Sequence, residues 1–217
     1  HRFAVPLPAA AAAVAQARSA ERLPVVLVDT GDNVGGGSAG DGTVLLAEML
    51  RQGATDGVVC LYEPEGVRQC AAAGGGGEVN LTVGGHVDSL HGEPLPVTGR
   101  VRLLHDGNYV ETEVRHGGRR VNHMGPTALV ELAGGNLLVL TSLRHPPFSL
   151  GQLTCLGIRP ERQRLLVVKA AIAYKAAYAP VAGTIIEVDT PGLTAVNPHR
   201  FAYRHIRRPM YPLDGAG

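Results

Sequence analysis

The sequence predicts an α/β fold: a mostly parallel sheet flanked by helices, with a β-rich antiparallel insertion over about residues 79–143. Three observations predict it. Continuous apolar runs such as Pro24-Val25-Val26-Leu27-Val28 have the character of strands buried on both faces. These runs alternate with helical segments over residues 3–78 and again over 144–214, as crossover connections between parallel strands require. Between the two stretches, short alternating segments are separated by turn residues, which marks antiparallel pairing.

In chain order, residues 8–20 are alanine-rich without an internal breaker and predict a tightly packing helix. The strand over 24–29 follows, then a glycine-rich loop over 30–42. Residues 43–52 place Val44, Leu45, Leu46, Met49 and Leu50 on one helical face. A second apolar run, 57–61, predicts the next strand. Pro64 suits the first turn of a short helix over 64–73. The four glycines 74–77 mark the change to alternating strands, expected over 81–83, 97–104, 109–115, 128–132 and 137–141 as a separable antiparallel unit. A helix over 148–156, a strand over 165–169, a short helix over 174–178 and a last strand over 184–189 complete the pattern.

Composition excludes several function classes. With 20 basic and 19 acidic side chains the net charge is +1, which gives no electrostatic footprint for nucleic acid or an acidic membrane. The basic cluster Arg200, Arg204, His205, Arg207 and Arg208 reads as a solvated or carboxylate-pairing segment. No apolar stretch reaches the roughly 18 residues that a spanning helix needs. Three cysteines, Cys60, Cys70 and Cys155, show no C-x-x-C spacing and argue against a disulfide framework. The start, His1-Arg2-Phe3, does not read as a signal peptide; a cytoplasmic setting and a piece of a longer protein are expected.

The loop Asp29-Thr30-Gly31-Asp32-Asn33-Val34-Gly35-Gly36-Gly37-Ser38-Ala39-Gly40-Asp41-Gly42-Thr43 is the strongest single feature. It leaves the carboxyl end of a buried strand, where α/β sheets bind ligands. It lacks the Gly-Lys-Ser/Thr ending of a phosphate loop, and its three acids oppose a polyphosphate. Two readings remain. In one, Asp41 caps the next helix while Asp29 and Asp32 brace the loop. In the other, the loop faces a substrate or an interface, with Asp29, Asp32, Asn33, Gly35, Gly36, Gly37 and Asp41 as the candidate substrate-binding residues.

Other chemistry is weakly signalled. His86, Asp88 and His91 offer ligand-type side chains within six residues, but zinc sites need three or four converging ligands, and a polar loop is the simpler reading. His123 and His145 read as loop histidines. Ser38 and Ser142 lack the G-x-S-x-G elbow of a serine nucleophile. Lys169, at a strand end, either contacts a substrate carboxylate or packs its stem with its ammonium at the edge.

Residues 24–43 closely resemble the signature of the carboxy-terminal domain of the microcystinase-type (MlrC) metallopeptidase family. The similarity continues through Val83-Gly84-Gly85, His91-Gly92, Leu140-Thr141-Ser142, Pro147-Phe148, Gly157-Ile158, Val167-Val168-Lys169 and Val188-Asp189-Thr190-Pro191-Gly192. It ends at Arg208-Pro209-Met210-Tyr211-Pro212-Leu213-Asp214 and spans about residues 3–214. The resemblance implies a two-domain protein of zinc-dependent peptide hydrolysis, acting on small peptides such as linearised microcystin. It places zinc in an amino-terminal domain absent from this chain, so no catalytic residue, metal ligand or cofactor is expected here, and the chain alone should not hydrolyse peptides. The implied partners are a peptide substrate and the protein's own amino-terminal domain, with a homo-oligomer left open and no nucleic acid or membrane. The rival reading is a non-catalytic binding or assembly domain.

Overall fold

The computed structural model describes residues 6–114 and 116–214. The readings of His1-Arg2-Phe3 and of the Arg115 end of the expected strand lie outside these residues. In chain order the elements are α1 (Ala10–Arg18), β1 (Val25–Asp29), α2 (Val44–Arg51), β2 (Gly57–Tyr62), α3 (Pro64–Ala73), β3 (Glu78–Val83), β4 (Leu95–His105), β5 (Asn108–Val110), β6 (Val121–His123), β7 (Thr127–Leu132), β8 (Leu137–Thr141), α4 (Gly151–Thr154), β9 (Leu165–Val168), α5 (Lys175–Tyr178) and β10 (Thr184–Val188).

Eight strands form one sheet in the order β10-β1-β9-β2-β8-β7-β4-β3, and β5 pairs with β6 in a separate ribbon. The first five strands of the sheet run parallel, and β7, β4 and β3 continue it antiparallel. The apolar runs explain the parallel half. Val25 and Leu27 pack with Ala13, Val14 and Ala17 of α1 and with Leu45, Leu46 and Met49 of α2. Val26 and Val28 point the other way, into a cluster with Leu153, Leu156, Tyr174 and Tyr178. Both faces of these strands are dry, so the strands need apolar residues at every position.

The antiparallel half is covered differently. In β3 the residues Val79, Leu81 and Val83 are buried while Glu78, Asn80 and Thr82 are exposed, because α3 covers one face only. Residues 79–143 are not a separable unit, in contrast to the sequence expectation. β8 lies inside that segment, yet it pairs in parallel with β2 while β7 pairs with it on the other side. Leu138, Val139 and Leu140 are fully buried on both faces, and this continuous run, unlike an alternating one, suits a central strand.

Two expected elements are shorter than the sequence suggests. The helix expected over 148–156 shrinks to α4, where the Ser149 hydroxyl accepts the Gly151 N–H at 2.9 Å. The strand expected from Tyr109 ends at Val110, after which the Glu111 carboxylate accepts the Glu113 N–H at 2.9 Å and bends the chain away.

Parallel order brings the carboxyl ends of β1, β2, β8, β9 and β10 to one edge, where the glycine-rich loop emerges from β1. Because β8 fuses the two halves, unfolding is expected to be one cooperative transition. Leu138→Ala should lower stability by about 3 kcal/mol and shift that transition as a whole in a denaturant titration; two transitions with separate midpoints would show independent halves.

Candidate functional site

The loop is built around a buried lysine. The register that pairs Val28 with Val168 sets the next residues, Asp29 and Lys169, beside each other. Lys169 Nζ lies 2.9 Å from Asp29 Oδ2, 3.0 Å from Asp32 Oδ2 and 2.7 Å from the Gly42 carbonyl. Burial alone would discourage its charge, but Asp29 and Asp32 outweigh that and raise its pKa. Each acid has further donors. The Thr190 hydroxyl reaches Asp29 Oδ1 at 2.5 Å, and the Gly40 and Gly42 N–H groups reach the two Asp32 oxygens at 2.7 Å each. Burial would raise the Asp32 pKa, yet the Lys169 charge and these amides bring it down to about 2. A Cβ at position 42 would press on the cage, 2.8 Å from Asp32 Oδ2 and 3.1 Å from Lys169 Nζ.

Asp41 does not cap α2, the role considered for it from sequence. Its Oδ2 accepts the N–H groups of His86 at 2.9 Å and Val87 at 3.0 Å, and its carbonyl accepts that of Gly85 at 2.9 Å. Oδ1 is buried without a hydrogen-bond partner among the described residues. Glu63 supports the same turn through the Gly84 N–H at 2.8 Å. The glycine loop and the β3–β4 connection are therefore one structure.

A third cluster joins them and was not legible in sequence. Ser38 Oγ lies 2.6 Å from His91 Nε2, and His91 Nδ1 lies 2.7 Å from Asp88 Oδ1. The Leu193 N–H also reaches Nε2, at 3.1 Å. A backbone N–H can only donate, so Nε2 accepts and the ring proton sits on Nδ1 facing Asp88. This is the hydrogen-bond order of a serine nucleophile, its base and an orienting acid. Ser38, however, is 1% exposed, and its histidine partner is shared with the chain after β10. Here the relay ties three segments together. Its members stand 53 and 3 residues apart, a spacing that matches no motif.

The candidate residues fall into two groups. Asp29, Asp32 and Asp41 are buried, with their oxygens turned inward. Asn33 is half-buried, and Gly35, Gly36 and Gly37 are exposed at the tip. The N–H groups of Gly36 and Gly37 bond to Asn33 O and Val34 O, at 2.9 and 3.0 Å, and that of Ser38 to Asn33 O at 3.3 Å. The tip is a closed turn and not a nest of outward amides for a phosphate.

The side chains of His86, Asp88 and His91 do not converge. His86 Nε2 faces Thr82 O at 3.3 Å and Glu63 Oε2 at 3.5 Å, while Asp88 and His91 bond each other. No group of three or more His, Cys, Asp or Glu side chains suited to a metal is found among the described residues, so the residues present do not fit a metal centre. Burial pushes the Cys60 thiol up to about 12, which rules out a ready thiolate beside the loop. No helix is long and apolar enough to cross a membrane among the described residues.

A family model described as "MlrC C-terminus" matches residues 27–205. The curated protein "Microcystinase C" from Sphingomonas sp. is 27% identical over 205 residues, covering 94% of this chain and 38% of its own length. A crystal structure of a "Putative metallopeptidase" from Mesorhizobium sp. BNC1 superposes with a TM-score of 0.84 at 29% identity, covering 99% of this chain and 42% of that one. The chain thus spans about two fifths of the length of these relatives.

Two variants test the ion cage. Lys169→Met strands two buried carboxylates and should cost about 3–5 kcal/mol, read by denaturant unfolding at pH 7. Asp32 has a depressed folded-state pKa, so its contribution is complete above its unfolded value near 4 and is lost as pH falls toward 2. That contribution is on the order of 2 kcal/mol. Asp32→Asn should be less stable at pH 7, with a flatter loss of stability from pH 4 to 2 than the unaltered chain; parallel pH profiles would contradict the cage.

Proposed function

Since the chain belongs to the MlrC C-terminus family, we propose that it is the carboxy-terminal domain of a zinc-dependent peptidase acting on small or linearised peptides. In this reading it supplies one wall of the substrate cleft. The metal and the water it activates belong to an amino-terminal domain, which is also the partner this domain packs against. The observation that carries the reading is the exposed tip formed by Asn33, Gly35, Gly36 and Gly37, held at the carboxyl edge of five parallel strands by the Lys169 cage.

Each part has a distinct task. Asp29 and Asp32 fix the base of the loop, and Asp41 fixes it to the turn at Gly84 and Gly85. The tip then offers backbone and the Asn33 amide without bulky side chains, which lets an extended peptide approach closely. Leu193 is half-exposed and follows Gly192 beside this loop. Turnover would benefit from a wall that holds the peptide without moving, since small displacements from reactive geometry cost rate steeply.

Gly36→Val in the full-length protein tests the reading. An added Cβ at Gly36 would sit 2.9 Å from Asn33 Nδ2 and 3.1 Å from Thr194 Cγ2, both side-chain atoms that can give way. Stability of the domain is expected to fall by about 1–2 kcal/mol, while kcat/KM for peptide hydrolysis falls at least about tenfold more than that loss explains. Normal turnover with an intact fold would remove the tip from the cleft and leave the binding or assembly role.

A further inference from the structure

We propose that Arg144 is a recognition residue for a carboxylate on the peptide ligand, held at the mouth of a small cavity beside the glycine loop. The cavity is lined by Tyr62, Thr141, Arg144, His145, Gln152 and Lys169 among others, and its volume is about 20 Å³, room for one water molecule. It lies at the carboxyl ends of β2, β8 and β9, where the parallel half of the sheet would receive a ligand. The inference rests on the cleft reading above and adds the chemical class of what the cleft recognises.

Arg144 is set apart from the other cations of this edge. Lys169 is matched by two carboxylates, whereas Arg144 is exposed and forms no ion pair among the described residues. It is nevertheless held in place. Its Nε donates to the Ala39 carbonyl at 3.0 Å, and its Cζ lies over the Tyr62 ring, 4.9 Å from the centroid. The hydrogen bond fixes the plane of the guanidinium against the loop, and the ring supports it from one side. Both terminal nitrogens remain for an oxyanion, with much of the side-chain ordering already done. The neighbouring His145 adds no charge at neutral pH, because burial and then Arg119 lower its pKa to about 4.

The surroundings select the anion. Two buried carboxylates share a single ammonium close by, and the Gly36, Gly37 and Ser38 amides are bonded within the turn. A multiply charged phosphate therefore meets repulsion without a nest of donors, while a singly charged carboxylate needs only the guanidinium. Gln152 lines the same cavity, and its buried Oε1 has no hydrogen-bond partner among the described residues. It calls for a donor, which one water in the cavity supplies while accepting a peptide N–H next to the carboxylate. A free carboxylate flanked by amide groups, as in a short linear peptide, satisfies both groups at once.

The test uses two probes, N-acetyl-dialanine and its carboxy-terminal amide. Titrated into the 217-residue chain, the acid should shift the Arg144 Nε–Hε resonance in a saturable way. The amide should not, and R144Q should bind the acid at least tenfold more weakly with its melting temperature retained. Equal responses to acid and amide, or equal binding by R144Q, overturn the proposal. In the full-length protein, R144Q should erase the preference for free-acid over amidated peptide substrates, read as the ratio of their KM values. If Arg144 responds to the acid in the isolated chain but not in the full-length protein, an acidic side chain of the remaining protein fills the site and the ligand assignment falls. Binding of the acid without hydrolysis of any peptide would keep the carboxylate site and remove the peptidase reading. Hydrolysis with the same acid preference in R144Q would do the reverse.

Discussion

The ammonium of Lys169, sealed between Asp29 and Asp32, is the contact on which the candidate site at the carboxyl edge of the sheet depends. It joins β1, the segment after β9, both ends of the glycine loop and the approach to α2 through one atom. A buried ion pair is rarely a net source of stability, because desolvating its members costs about as much as their attraction returns. Here the carboxylates carry further donors from Thr190, Gly40 and Gly42. Such a network, once fully satisfied, specifies one arrangement strongly, since any rearrangement strands a charge.

The cage does not act alone. Asp41 and Glu63 bind the turn at Gly84 to Val87, and the Ser38–His91–Asp88 relay ties that connection to the loop and to the chain after β10. These contacts cross from the parallel half of the sheet to the antiparallel half. The continuity of β8 with both halves has the same consequence in the core. The edge that carries the loop is thus stiffened by hydrogen bonds above and by shared strands beneath.

Legibility in the sequence followed the range of the interaction. The strands β1, β2 and β9 were evident because burial on both faces leaves a local record of consecutive apolar residues. β8 carries the same record, Leu137-Leu138-Val139-Leu140, but it sits among turn sequences that locally resemble those of its antiparallel neighbours. The loop was evident from its glycines, and the bracing of the loop by Asp32 was one of its two readings, whereas the lysine that Asp29 and Asp32 share was not. Lys169 and Asp29 are 140 residues apart, and only the β1–β9 register brings them together. The histidine relay was missed for the same reason: Ser38 and His91 are each unremarkable in their own segments. Arg144 gave no sequence signal, because a stacked arginine depends on the position of Tyr62 at the end of the neighbouring strand β2.

What the cage accomplishes can be seen from the glycines. Three in succession would leave a loop tip with large conformational freedom, which a binding partner would have to remove at a cost in affinity. Asp32 closes the loop on itself by holding Gly40 and Gly42, eight and ten residues on, so the free span shrinks to the few residues around Gly35 to Gly37. Within that span, the bonds to Asn33 O and Val34 O set a single turn. The glycines of the tip are thus held in one turn despite the conformational freedom they would otherwise have. On the proposed cleft reading, a surface both unencumbered and tied down suits an extended ligand better than a closing lid does, and it places the burden of specificity on oriented side chains at its margin.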